Sequence, residues 1–178
     1  MAVDAFLQFT STGDGAPELI GETQDQQMKA MSPAPFEISD WGFSVSLPVS
    51  IGSSKAGGGT GKAKFEPFRV TKNIDSASPN LFYTCCVGGH YKELNLFVRR
   101  AGGTPSQSGQ TYLQIGFKLV MVSNIQWSNG EVPTETISFD YGALQFKYTA
   151  QKQTGGLGEA ATTQWSQVTN SADYDAAI

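Results

Sequence analysis

The chain is poor in the residues that chemistry most often needs. Its 178 residues hold one histidine, His90, and two cysteines, Cys85 and Cys86. A single histidine excludes a two-histidine metal site. It also leaves only one candidate base for a Ser-His-Asp arrangement, and the G-x-S-x-G elbow that would present the serine is missing. The reading for His90 is a ring that satisfies backbone groups near a helix end. The cysteines are neighbours, so on a helix their side chains diverge by about 100° and cannot easily bond to each other. They are expected as a buried pair of small apolar side chains. Charged residues make up 16% of the chain and net to −4. The longest basic run is Arg99-Arg100, far short of the cation track that phosphates need, so no nucleic-acid partner is expected. No apolar run approaches the ~20 residues of a spanning helix, so no membrane insertion is expected. Met1-Ala2-Val3 opens no positive region followed by an apolar core, which argues against a Sec-type signal peptide and for synthesis in the cytoplasm.

Glycine and period-two alternation are what the chain has in quantity. Twenty glycines and modest charge suit a β-rich domain with many turns. Val3, Ala5, Leu7 and Phe9 alternate, as do Leu94, Leu96 and Val98. In Tyr112–Ser123 the set Leu113, Ile115, Phe117, Leu119 and Met121 faces one way, with Gln114 and Lys118 on the other. Val120 and Val122 break the polar side, as if both faces became covered there. Ile137, Phe139 and Tyr141 alternate, then Leu144, Phe146 and Tyr148 resume one residue out of phase, so a bulge or tight connection that restores the apolar face to the core is expected at Gly142. A second slip separates Phe36 and Ile38 from Trp41, Phe43, Val45 and Leu47, placing a bulge at Ser39-Asp40. Pro67 cannot donate to a ladder and belongs at an edge.

One helix interrupts the strands. Ser76 or Ser78 can cap it, Pro79 suits its first turn, and Gly88-Gly89 supply the left-handed residue that ends it. The fold expected is mainly β: a compact β-barrel of two packed antiparallel sheets with one short flanking α-helix over about residues 78–88. Residues 1–178 read as a single domain. Residues 49–61 read as an extended loop, 13–35 as a polar insertion with a helical turn near Gln24–Met31, and 152–178 as a partly flexible C-terminal segment.

Chemical motifs fail on inspection. Ala56-Gly57-Gly58-Gly59-Thr60-Gly61-Lys62-Ala63 invites a phosphate-loop reading, but Ala56 stands where glycine is needed and Ala63 where a hydroxyl is needed. It also leads into a strand and not a helix. The acidic pairs Asp14/Glu18 and Glu131/Glu135 lie in loop-like segments with no shielding pocket. Neither catalysis, a cofactor nor a metal is expected.

The stretch Phe68–Tyr91, FRVTKNIDSASPNLFYTCCVGGHY, followed by Leu94-Asn95-Leu96-Phe97-Val98-Arg99-Arg100-Ala101-Gly102-Gly103, resembles the haemolysin-coregulated protein (Hcp) family of type VI secretion. The resemblance extends to Met1-Ala2-Val3-Asp4-Ala5-Phe6-Leu7, to Trp41-Gly42, to Gly57-Gly58-Gly59-Thr60-Gly61-Lys62, and to Trp165 followed by Asn170. It implies a homohexameric ring that stacks into a hollow tube, expelled by a contracting sheath and tipped by a spike. Sheath and spike proteins and protein effectors in the lumen are the implied partners, and export through that apparatus the implied destination. The glycine-rich loop would then carry ring stacking, through Ser53, Lys55, Gly57, Gly58, Gly59, Thr60 and Lys62. Asp40, Arg99, Arg100, Gln114 and Lys118 are candidates for lumen or subunit contacts. Six chains of −4 carry about −24, so ring association should strengthen from low to moderate salt. The other reading is a monomeric extracellular β-sandwich that binds carbohydrate through Trp127 and Trp165.

Overall fold

The computed structural model describes residues 3–50, 59–100, 109–151 and 157–176. Its frame is one eight-stranded antiparallel sheet that rolls up on itself. The long strands are β1 (Val3–Thr12), β9 (His90–Arg100), β10 (Thr111–Ser128) and β11 (Thr134–Gln151), side by side in that order. β8 (Phe68–Asn73) and β12 (Leu157–Ser166) divide the far edge of β11 between them: β8 pairs with Thr134–Phe139, β12 with Ala143–Gln151.

The seam closes through the segment Phe36–Gly42. Its first half, β2 (Phe36–Ile38), pairs with β1, and its second half, β3 (Asp40–Gly42), pairs with β8. The phase slip at Ser39-Asp40 is thus a change of partner and not a simple bulge. Ser39 donates its backbone N–H to Thr71 O at 2.8 Å just where the chain crosses over. Between β3 and β8 the chain leaves as an arm built on two short ribbons. β4 (Val45–Ser46) pairs with β7 (Lys64–Phe65), and β5 (Val49–Ser50) with β6 (Gly59–Thr60). Pro67 falls between β7 and β8, outside any ladder, as its missing N–H requires.

The strands change phase together. Along β11 the buried residues run Ile137, Phe139, Tyr141 and then Leu144; along β10, Phe117 and then Val120; along β9, Tyr91 and then Leu94. Because neighbours slip at one level, register survives: Phe117 faces Leu94 and Leu144, and Val120 faces Tyr91 and Tyr141. Leu119 carries the distortion at φ 51° and lies across from Gly142, where a Cβ would come within 3.1 Å of it. The phase does change at Gly142 as expected, but not through a bulge, and the expectation for Leu119 and Met121 falls. The ladder has no shift at Gly142; its shift lies between Val122 and Asn124. Leu119 and Met121 do not continue the inward set, for Met121 is exposed while Val120 and Val122 are core. The polar side was not broken by double coverage; the inward face had moved.

The helix α2 (Ser78–Val87) appears where expected and ends at Gly88, φ 69°, whose N–H donates to Thr84 O. Its start differs. Ala77 is the cap, without a side-chain bond, while Asp75 Oδ1 accepts the Ala77 N–H at 3.0 Å. Ser78 is turned inward to Glu135 at 2.7 Å. Cys85 packs half-buried on the core, but Cys86 is exposed, so only one of the pair is a core residue.

The 13–35 insertion does carry a helical turn, α1 (Gln26–Lys29), pinned to the barrel through Asp25. Its Oδ1 accepts from Gln27 N and Met28 N at 3.0 and 2.9 Å and lies 2.9 Å from Arg99 Nη1. Burial alone would raise this carboxyl. Hydrogen bonds from Met28, Arg99 and Gln27, with the Arg99 charge, together hold it below its ordinary value of 3.8. Asp25→Ala removes a cap and strands a buried guanidinium, so a loss of about 2 kcal/mol is expected at neutral pH. A carboxyl with a lowered folded pKa stabilises above its unfolded pKa and loses that contribution as pH falls through the folded one. The gap between wild type and variant in urea midpoint should therefore shrink below about pH 4.

Of the 152–178 segment, residues 152–156 and 177–178 lie outside the described residues; the rest forms β12 and then doubles back. Ser166 bridges Ser171, and Tyr174 lies on Gly116 on the outer side of β10, where a Cβ would meet its hydroxyl at 2.4 Å. Ala176 ends up buried beside Gly142.

Candidate assembly interface

The expected contact residues are scattered. Ser53, Lys55, Gly57 and Gly58 lie outside the described residues. Gly59 and Thr60 form β6, and Lys62, exposed at the base of the arm, donates to Gln167 O at 3.3 Å in the same chain. Arg99 is taken up internally: besides Asp25, its Nε donates to Gly109 O at 2.6 Å and its Nη2 to Gln27 Oε1 at 2.7 Å. It is buried beneath the insertion and offers nothing to a neighbour. Arg100 lies over the Tyr112 ring at 4.7 Å, and Lys118 over Tyr174 at 4.7 Å. Gln114 is half-buried on the same outer side as Lys118. Asp40 is exposed and accepts its neighbour Trp41's N–H at 2.9 Å, at the lip of an open cleft of about 360 Å³ with Glu66 and Arg69.

Two surfaces that the sequence reading did not single out are better placed. The first is a groove of about 630 Å³ between the arm and the β11–β12 hairpin, walled by Val45, Leu47 and Phe65 on one side and Phe146 and Trp165 on the other. It exists because β11 and β12 turn Leu144, Phe146 and Trp165 inward beyond the point where β8 stops. The second is the outer face of α2, where Phe82, Tyr83, Cys86 and Val87 are exposed. Phe82 is braced against Trp127 of β10 at 5.9 Å. The alternation of apolar and polar residues along the arm (Val45, Leu47, Val49 against Ser44, Ser46, Ser50) and the absence of any charge in Ser78–Val87 were the available signals.

Beyond these surfaces lies one compact polar cluster, Lys72, Asp75, Ser78 and Glu135. Lys72 and Glu135 are buried to 2% and 0% exposure, so a serine–lysine contact of 3.3 Å there has no route to a substrate. No group of three or more His, Cys, Asp or Glu among the described residues is placed to hold a metal. No helix of the described residues is long and apolar enough to cross a membrane.

The fold is that of a type six secretion system protein. A solved structure described as a type six secretion system protein superposes on 96% of this chain and 99% of its own with a TM-score of 0.80 at 26% identity. Hcp1 from Salmonella typhimurium shares the fold, with a TM-score of 0.72 over 97% of this chain and 100% of its own at 24% identity. The family model for the type VI secretion system effector Hcp matches residues 6–148. Protein hcp1 of Pseudomonas aeruginosa is 35% identical over 97 residues, which is 53% of this chain and 58% of that relative's length. The chain belongs to the Hcp family and is a secretion-system tube protein. The family is a structural one and is secreted by the type VI system.

Proposed function

We propose that six copies close into a ring, that rings stack into a hollow tube, and that sheath contraction expels the tube with protein effectors in its lumen. Sheath and spike proteins are its partners in that cycle. The observation that carries this reading is the family match over residues 6–148. Physical support comes from an unfinished sheet: among the described residues no strand pairs with the outer edge of β12, apart from the Ser166–Ser171 bridge at its end. A long open edge invites another chain unless something covers it. A stacking role for the arm is part of the proposal, with Lys62 at its base. Of the two tryptophans a glycan-binding monomer would use, Trp127 is tilted against Phe82 and donates its N–H to Glu135 at 3.1 Å, and Trp165 lines the apolar groove.

Negative-stain electron microscopy of the purified chain at micromolar concentration tests the ring. Six-fold end-on views with a stain-filled centre are expected, and single particles at every salt concentration would sink it. Sedimentation should show association strengthening as ionic strength rises to about 0.15 M, because a ring of about −24 repels its neighbours. The opposite trend would mean that ion pairs dominate the contact.

A further inference from the structure

We infer that the outer face of α2 seats in the apolar groove of a second copy, and that this head-to-tail contact closes the ring. The inference rests on the ring reading above and names its contact.

A helix at a protein surface ordinarily turns charged residues to water. Ser78–Val87 contains none, and Phe82 and Tyr83 stand 51% and 55% exposed. Phe82 is fixed by Trp127 and the helix start by the Lys72–Glu135 cluster, so the ridge is presented rigidly. Val45 and Leu47 remain about half-exposed on one wall of the groove, facing Phe146 and Trp165 across open space. Apolar surface left in this form marks a contact site.

The two surfaces are unlike, which matters for symmetry. Contacts between unlike patches are heterologous and generate rings when the rotation closes, whereas a self-complementary patch stops at a dimer. They also sit far apart. The ridge lies by Trp127 on β10, and the groove is lined by Phe146, the partner of Ile115 on the same strand, up to about 40 Å away along it. One chain can therefore use both at once. Charge agrees in sign: exposed Lys62 lines the groove. At the ridge, the Glu22 carboxylate accepts the Ser76 N–H just before α2. Opposite charges at the rims orient such an encounter.

The test uses the full chain with Phe82→Glu or Tyr83→Lys on the ridge and Leu47→Glu in the groove, each at an exposed position. Wild type is measured first. If it forms no rings under any condition, the ring reading itself fails. If it does, each variant should keep the wild-type melting temperature and circular dichroism but sediment at one-sixth of the ring mass. A one-to-one mixture of Phe82→Glu and Leu47→Glu retains one intact ridge and one intact groove per pair, so it should give two-chain species and nothing larger. Variants that still form rings at the wild-type concentration, or a mixture that restores complete rings, would overturn the contact.

Discussion

Replacing Lys72 with methionine is expected to cost about 3–5 kcal/mol, read as a lower urea midpoint at unchanged slope. Lys72 Nζ lies 2.7 Å from Asp75 Oδ1 and 2.8 Å from Glu135 Oε1, and sits 5.2 Å from the centre of the Phe36 ring. Glu135 is fully buried; besides Lys72 it accepts from Ser78 Oγ at 2.7 Å and Trp127 Nε1 at 3.1 Å. One cation thus holds two carboxylates. Removing it leaves like charges facing each other out of water, the situation that makes a broken buried pair expensive. Glu135→Gln is milder because Lys72 keeps Asp75, and about 1–2 kcal/mol is expected. If the two variants cost the same, hydrogen-bond count and not charge governs the cluster. Lys72→Met combined with Glu135→Leu should recover part of the single-variant loss, since the only carboxylate left is the partly exposed Asp75, although Ser78 Oγ and Trp127 Nε1 lose their acceptor. The cluster joins β8, β11, β10 and the start of α2, so the same loosening should weaken whatever α2 touches.

That cluster was legible, yet the sequence reading put Glu135 in a loop-like segment, whereas it lies fully buried on β11. Phe68, Val70 and Lys72 share one strand face, as do Glu135, Ile137 and Phe139, so two opposite charges lie in phase with inward apolar residues on strands that turn out to pair. A lysine and a glutamate on core faces announce each other. Local signals did well elsewhere: Gly88 ended the helix, and the slip at Ser39-Asp40 marked the closing seam. Arg99 was beyond local reach. It follows Leu94, Leu96 and Val98 on the outward side of β9, and its burial depends on Asp25, far away in an insertion whose docking no periodicity encodes. The phase change at Leu119 misled for a related reason. It is shared by β9, β10 and β11, so read on one strand it looked like a covered polar face. The groove needed the whole topology, because it lies where β8 ends and β12 begins along β11.

Phe117→Ala should lower stability by about 3–5 kcal/mol, a large share of the 5–15 kcal/mol typical of a domain. The side chain is fully buried and stacks on Phe68 at 4.5 Å between ring centres. It meets Tyr141 at 4.8 Å and Phe43 at 6.1 Å. These partners come from β8, β11 and the root of the arm, so the ring lies where three pieces of chain converge. Truncation removes the transfer energy of the phenyl group and leaves a cavity that a closed sheet, held by ladders on either side of β10, cannot collapse to fill. Phe117→Leu retains most of the volume and should cost about 1.5 kcal/mol or less. The alanine variant has a second, local signature. Phe43 also lines the apolar groove, so losing its edge contact frees that wall of the groove. Well below its lowered melting temperature, Phe117→Ala should still be folded by circular dichroism, yet need a higher concentration than Phe117→Leu to form rings. Equal ring formation by both variants would mean that the arm root does not rely on Phe117 for its position.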